Sequence, residues 1–432
     1  MHNPEGGRPN GIRPAILQGL RHVRQGMPEG SDHHTKEGGE AVRSIKALTG
    51  NQAVAYGVKL CRVEVIPNYP ITPQTIIIEQ LADFINDGDL DADFIPADSE
   101  HSAMSIAIGA SATGVRTFTA TASHGLALMH EMLYVPPQVR LPIVLANVNR
   151  SLGAGSGIWV EYNDSMAERD SGWMQVYVED NQEVLDMLLQ CYRIAEDPRA
   201  VLPIMICLDG FILSHTVERV EIPGQEEVDN FLPKFKPLNF LDPKNPKSMN
   251  IAVSPAHSME MRYQLDRLME NSRQVIKDVD KEFAKAFGRS YGGLIDTYRM
   301  KDAEIGLITI GTATSTGRVA VDELRAEGKK VGLIKLRFMR PFPHDELREA
   351  TKGLKALGVF DRSISANRYG PVFTEVRNSL YGGGMPIIDH IAGIGGRDLT
   401  VAALREMFAV LEKRASGHKT KDCYWHGLRG QM

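Results

Sequence analysis

Cysteine is scarce in this sequence: Cys61, Cys191, Cys207 and Cys423 are all there is in 432 residues. None forms a C-x-x-C pair and none sits beside histidines at zinc spacing, so no iron–sulfur cluster and no metal is expected on this chain. Unpaired thiols of this kind suit a reducing, cytoplasmic setting. Long apolar runs are also missing. None approaches the ~20 residues that a membrane helix needs, so no membrane association is expected. The opening "MHNPEGGRPNGIRPAILQG" has no apolar core of a secretory signal, and Glu5, Glu29 and Asp32 count against a transit peptide. There is no surplus of positive charge. Lys and Arg number 49 against 54 Asp and Glu, a net −5 that gives no support to nucleic-acid binding. Short-period repeats and low-complexity tracts are absent as well.

What remains is a globular composition, with 43% apolar and 24% charged residues. The length favours more than one domain. Residues 1–45 read as an N-terminal arm, partly irregular, with a short helix at 14–25; it is either a loose terminus or a wrap for a partner subunit. From about residue 50 the pattern becomes strand, turn, helix, repeated. "NQAVAYGVKLCRV" and "SEHSAMSIAIGASATG" read as small-residue helices, and "VRTFTATAS", "LPIVLANVN" and "VLPIMICLDGF" as strands. Such alternation predicts an α/β fold of doubly wound parallel sheets. The rhythm breaks over a proline-rich, charged stretch and a long amphipathic helix. It resumes near 302, where "KVGLIKLRFMRPFP" reads as one strand. The expected domains are 46–245 and 301–415, with a linker at 246–300 and a tail at 416–432.

Three strand ends carry candidate chemistry. In "NYPITPQT" (68–75), Pro73 suits a first helical position, where its missing N–H costs nothing, and Thr72 is then the N-cap. A helix N-terminus on this edge of a parallel sheet also attracts ligands, so Thr72 is either a plain cap or a ligand contact. Glu100 in "IPADSEHSAMS" is either a first-turn acid facing the helix dipole or a carboxyl that shares a proton with a ligand nitrogen. Arg150 ends the apolar strand "LPIVLANVNR". Its guanidinium needs an anion, supplied by an internal salt bridge or by a bound carboxylate. The following "SLGAGSGIWVEYNDSMAERDSGW" reads as a long mobile loop; its glycines lack the P-loop lysine. "AGIGGRDLT" (392–400) reads as a turn with Asp398 as helix cap.

The ordered set "YPITP", "SEHSA", "TFTATASHGLALMHE", "NDSMAERDSGW", "LDGFILSH", "RFMRPFP", "DRS" and "IAGIGGRD" resembles the α subunits of the 2-oxoacid:ferredoxin oxidoreductases, in particular the pyruvate branch. The resemblance covers about 45–412. It implies a thiamine-diphosphate-binding, pyrimidine-type domain followed by a transketolase C-terminal-like domain. It also implies CoA-dependent oxidative decarboxylation of pyruvate, with electrons passed to ferredoxin. Glu100 matches the residue that bonds the cofactor's aminopyrimidine. That task needs a desolvated carboxyl whose proton is shared rather than lost to water. Arg150 matches the clamp for the 2-oxoacid carboxylate, and Thr72 a residue beside substrate and cofactor. Gln74 stands where Ser or Thr is common and His124 where Gln is expected, and both are possible pocket residues. No Gly-Asp-Gly motif is present to hold the diphosphate and Mg²⁺. The resemblance therefore places Mg²⁺ and the [4Fe-4S] clusters on partner subunits. A β subunit would complete the thiamine diphosphate site, beside γ- and δ-type subunits in a hetero-oligomer, and this chain alone would be inactive. The same chemistry on another 2-oxoacid (2-oxoglutarate or a branched-chain acid) and a non-catalytic scaffold subunit are the alternatives.

Overall fold

The computed structural model describes residues 43–153, 157–249 and 251–430. The arm expected over 1–45, with its helix at 14–25, lies almost wholly outside them. The described chain opens with β1 (Ser44–Thr49), whose last residue caps α1 (Gly50–Leu60). The Thr49 hydroxyl accepts from the Gln52 N–H at 3.2 Å, and the Gln52 side chain accepts from the Thr49 N–H at 3.0 Å. This reciprocal pair satisfies two donors that the helix start would otherwise leave free.

The strand–helix alternation then runs β2 (Val65–Asn68), α2 (Thr75–Asn86), β3 (Asp93–Pro96), α3 (Glu100–Ala112), β4 (Phe118–Thr121), α4 (Ser123–Leu133), α5 (Val135–Val139) and β5 (Val144–Asn149). Next come α6 (Asn163–Ala167), β6 (Met174–Tyr177), α7 (Asn181–Ala195), β7 (Ile204–Asp209), β8 (Val217–Ile222) and α8 (Gln225–Phe231). The long helix is α9 (Pro255–Phe287), started by proline at its first position and ended by Gly288 in the left-handed region. The remainder is β9 (Ile295–Tyr298), β10 (Ile305–Thr309), α10 (Ala313–Ala326), β11 (Val331–Leu336), β12 (Phe338–Arg340), α11 (His344–Ala350), β13 (Ala356–Asp361), α12 (Pro371–Ser379), β14 (Ile387–Ile391), α13 (Val401–Ala415) and β15 (Cys423–Trp425).

Two sheets dominate. The first has the order β12-β6-β7-β5-β4, parallel except for β12. The parallel pair β2–β3 extends it through a bridge from Val65 to Thr117. The second has the order β15-β14-β13-β10-β11-β9, parallel except for β9. β1 and β8 form a separate antiparallel ribbon. Since β2, β3, β4, β5 and β7 run the same way, the chain leaves all five on one edge. That edge carries Thr72, Glu100, Ser123, Arg150 and Gly210.

One expected strand is two. "KVGLIKLRFMRPFP" breaks at Arg337: β11 stays in the second sheet while β12 pairs antiparallel with β6 of the first. The break is held by buried charge. Lys335 Nζ lies 3.1 Å from Glu179 and 2.5 Å from Glu183, and Arg337 Nε lies 3.1 Å from Glu183. Burial alone would raise the Glu179 carboxyl, but Lys335 and Arg318 outweigh it and hold it below its ordinary value. Removing one member of such a network strands a buried charge, at about 3–5 kcal/mol. The stretch 173–200 supplies β6 and α7. α7 buries Val184, Leu185, Leu188 and Leu189 in the core, each side chain contributing roughly 1.5–3 kcal/mol.

Candidate active site

The loop after β2 differs from expectation. α2 begins at Thr75, and the cap position is Gln74, which makes no side-chain cap bond. Thr72 is therefore not the N-cap. The Thr72–Pro73 peptide is cis, and the Gln74 N–H donates to the Ile71 carbonyl at 2.9 Å, closing a tight turn before the helix starts. Thr72 is exposed on that turn, and the Pro73 carbonyl accepts from Asn51 Nδ2 at 2.8 Å. Gln74 is fully buried. Its Nε2 donates to the Tyr69 carbonyl at 2.9 Å, and its Oε1 has no partner among the described residues.

Glu100 is the first residue of α3 and only 6% exposed. Ser99 caps the helix, accepting from the Ser102 N–H at 3.2 Å, so the Glu100 carboxylate is not used as a cap. No hydrogen bond links that carboxylate to another described side chain. Opposite it lies Gly125 on α4. A Cβ there would stand 2.6 Å from Glu100 Oε1 and 2.5 Å from Thr121 Oγ1. Only hydrogen fits, so backbone, carboxylate and hydroxyl meet at one point. The Thr121 hydroxyl is buried and has no partner among the described residues. His124 is exposed on the first turn of α4, with Nδ1 3.2 Å from Ser123 Oγ.

Arg150 follows the last residue of β5. No carboxylate among the described residues pairs with its guanidinium, so the internal salt bridge is not formed there. Instead Nη1 donates to the Thr72 carbonyl at 3.0 Å, while Nε is buried without a partner. Between these groups Gly210 closes the edge: a Cβ on it would stand 2.4 Å from the Asn149 carbonyl and 3.1 Å from Pro73 Cγ. The ends of β2, β5 and β7 are thereby packed together. The structure thus brings Thr72 to Arg150 and Glu100 to Gly125, and leaves Gln74 as a buried brace of the turn.

Residues 151–173 were expected as a loop, yet their described part is tied down. The Ser151 N–H donates to the Trp159 carbonyl at 3.0 Å, and Asn163 exchanges two hydrogen bonds with the Leu152 backbone, at 3.0 and 2.9 Å. α6 lies inside it and buries Asp164 at 1% exposure. Asp164 Oδ2 accepts from the Ser123 N–H at 3.0 Å, the Arg150 N–H at 3.1 Å and Asn147 Nδ2 at 3.2 Å. Oδ1 accepts from Asn149 Nδ2 at 2.8 Å and the Ser165 N–H at 2.7 Å. Burial raises the Asp164 carboxyl above its ordinary value, and these donors oppose the rise. Sequence reasoning passed over Asp164, Thr121 and Gly125. A signal existed: Asn147 and Asn149 put two amides on one face of a buried strand, and buried amides need partners.

On the same edge, Asp209 at the end of β7 meets the second sheet. Tyr162 Oη donates to Asp209 Oδ1 at 2.7 Å, and Thr312 Oγ1 and Arg362 Nη1 both donate to Oδ2. Thr312 follows β10 and Arg362 follows β13, so the carboxyl ends of strands from both sheets meet here, the edge on which α/β folds place ligands. Asp398 is not the cap expected after "AGIGGR". Thr400 takes that place, accepting from the Ala403 N–H at 3.2 Å.

The pyruvate flavodoxin/ferredoxin oxidoreductase, thiamine diphosphate-binding family matches residues 56–281, and the pyruvate:ferredoxin oxidoreductase core domain II matches 303–404. The chain belongs to the pyruvate:ferredoxin oxidoreductase family. Relatives in that family are similar over nearly their whole length. Pyruvate synthase subunit PorA of Methanothermobacter thermautotrophicus is 48% identical over 385 residues, covering 89% of this chain and 98% of that protein. PorA of Pyrococcus abyssi is 46% identical over 389 residues, with the same two shares of 89% and 98%. Ketoisovalerate oxidoreductase subunit VorA of Pyrococcus horikoshii is 46% identical over 388 residues, again at 89% and 98%. Among solved structures, the 2-oxoglutarate:ferredoxin oxidoreductase of Magnetococcus marinus superposes with a TM-score of 0.65 at 20% identity, spanning 86% of this chain and 65% of that one. A split-gene transketolase superposes at 0.50 and 12% identity, spanning 86% of this chain and 99% of that one. These two likenesses speak for the fold, an α/β architecture shared by the oxidoreductases and transketolase.

Proposed function

We propose that this chain is the α subunit of a multi-subunit pyruvate:ferredoxin oxidoreductase and supplies one half of its active site. The reaction is the reversible, CoA-dependent oxidative decarboxylation of pyruvate to acetyl-CoA and CO₂, with an electron pair passed to ferredoxin. Thiamine diphosphate, when bound, supplies the carbon nucleophile and the electron sink. The residues present fit it. The Glu100 carboxylate and the orphaned Thr121 hydroxyl lie together against the same side of Gly125, which leaves hydrogen-bonding capacity for a ring nitrogen and its amine.

In this reading Glu100 shares a proton with the aminopyrimidine N1′. Thr72 lines the mouth beside substrate and cofactor, and Arg150 clamps the 2-oxoacid carboxylate. His124 borders the pocket, while Gln74, buried beneath the turn, braces the segment that carries Thr72. One observation carries the assignment: the Arg150 guanidinium rests on the Thr72 carbonyl and meets no carboxylate of the described chain. An anion from outside is its natural complement.

The other half of the site belongs to partners. A β subunit holds the diphosphate and Mg²⁺, while γ- and δ-type subunits and the [4Fe-4S] clusters carry electrons to ferredoxin in a cytoplasmic hetero-oligomer. Residues 46–245 form the pyrimidine-type domain and 301–415 the transketolase C-terminal-like domain. The likeness to VorA supports a second reading, the same chemistry on a branched-chain 2-oxoacid. Reconstitution with the partner subunits and a panel of pyruvate, 2-oxoisovalerate and 2-oxoglutarate separates the two. Pyruvate is expected to give the highest kcat/KM. A preference for 2-oxoisovalerate would move the chain to the second reading, and turnover of none of them would end both.

A further inference from the structure

The motif "NDSMAERDSGW" has no part in the roles assigned so far, yet it carries the most connected carboxylate on this edge. Asp164 takes five donors from α4, β5, the residue after β5 and its own helix. Every neighbour donates and none accepts, so the site is built for the ionised form. A single oxygen, Oδ2, receives both the Ser123 N–H at 3.0 Å and the Arg150 N–H at 3.1 Å. Ser123 starts the helix that carries Gly125, the residue against which Glu100 packs. Arg150 reaches the Thr72 carbonyl. One atom therefore sets two distances at once: the backbone facing Glu100 and the root of the Arg150 side chain.

We infer that Asp164 is a positioning residue that holds the cofactor-facing and substrate-facing halves of this site in register. The inference rests on the roles proposed above for Glu100 and Arg150. Oxygens at this depth with five donors leave no lone pair for a ligand, so Asp164 acts through its neighbours and touches neither substrate nor cofactor. Its signature is a joint loss. A fault in Arg150 alone weakens 2-oxoacid use, and a fault in Glu100 alone weakens cofactor use, whereas a fault in Asp164 weakens both.

The test uses the complex reconstituted with its partner subunits. Asp164→Asn is nearly isosteric, removes the charge and points an amide N–H₂ at donors. The expected result is an increase of roughly 10- to 100-fold in KM for pyruvate, together with a calorimetric Kd for thiamine diphosphate weakened by at least about tenfold. A residue that served stability alone would lower Tm and leave KM and Kd of the assembled complex in place. Arg150→Ala and Glu100→Ala run beside it. If both impair the complex while Asp164→Asn stays within about twofold on KM and Kd, the positioning role is overturned and the site roles stand. If neither impairs it, the site roles fall and this inference falls with them. Should Asp164→Asn not assemble, Asn149→Ala removes the 2.8 Å donor to Oδ1 and is expected to shift KM and Kd together by a smaller factor. A shift in one without the other overturns the inference.

Discussion

Arg150 Nη1 and the Thr72 carbonyl oxygen stand 3.0 Å apart, although the two residues follow different strands and are 78 positions apart in sequence. The contact orients the guanidinium without neutralising it, because a carbonyl brings no charge. The fork keeps its remaining N–H donors for a planar anion, which an ammonium cannot match in geometry. Arg150→Lys is expected to raise KM for pyruvate by on the order of 10- to 100-fold, the worth of one or two charged hydrogen bonds, with a smaller change in kcat. Steady-state kinetics of the reconstituted complex check this; an unchanged kcat/KM would count against the clamp.

Gly125 makes a second relationship testable. A methyl group at that position would stand 2.6 Å from Glu100 Oε1 and 2.5 Å from Thr121 Oγ1. Gly125→Ala is expected to push the carboxylate aside, costing about 1–3 kcal/mol of stability from overpacking and weakening thiamine diphosphate binding. Thermal denaturation reads the first and titration calorimetry the second. Native affinity in a folded Gly125→Ala complex would mean that Glu100 and the cofactor do not meet over this glycine.

Asp389 on β14 gives a pH-dependent prediction. It is fully buried, Oδ2 accepts from the Gly370 N–H at 2.8 Å, and Oδ1 has no partner among the described residues. Burial pushes its carboxyl from an ordinary 3.8 up to about 6. Neighbouring Asp361 is also pushed well up, by burial first and by the Asp389 charge second. A raised folded pKa means that the native state binds the proton more tightly than the unfolded chain. The stability this contributes is full below the ordinary value of 3.8 and is lost as pH rises through about 6. Asp389→Asn removes the ionisation, so it is expected to raise stability at about pH 8 by on the order of 1–3 kcal/mol, with the gain shrinking toward about pH 4. Denaturant unfolding at both pH values checks the sign, and a gain that does not shrink would contradict it.

Much of this architecture was legible in the sequence because the strands are short, apolar and β-branched and the helices between them are distinct. Segment 173–200 was harder to place. α7 carries a polar stripe at helical spacing, Gln182, Asp186, Gln190 and Arg193, but tertiary packing covers most of that stripe too, with Asp186 held by Arg289 and Tyr291. The break at Arg337 was hidden for a related reason: β11 and β12 read as one apolar run, and only tertiary pairing divides them between sheets. In the site, Thr72, Glu100 and Arg150 were visible as polar residues at the ends of apolar strands. The Thr72 cap was misread because a Thr-Pro pair suits a helix start and a tight turn equally well. Asp164 was missed because its partners lie on segments that become neighbours only after the sheet has formed.

The central claim is that this chain brings an essential carboxyl to a shared thiamine diphosphate site. Glu100 tests it most directly. In the reconstituted complex, Glu100→Ala is expected to lower CoA-dependent pyruvate oxidation with a low-potential acceptor by at least about 100-fold, while subunit assembly stays intact. Unimpaired turnover by an assembled Glu100→Ala complex would contradict the account.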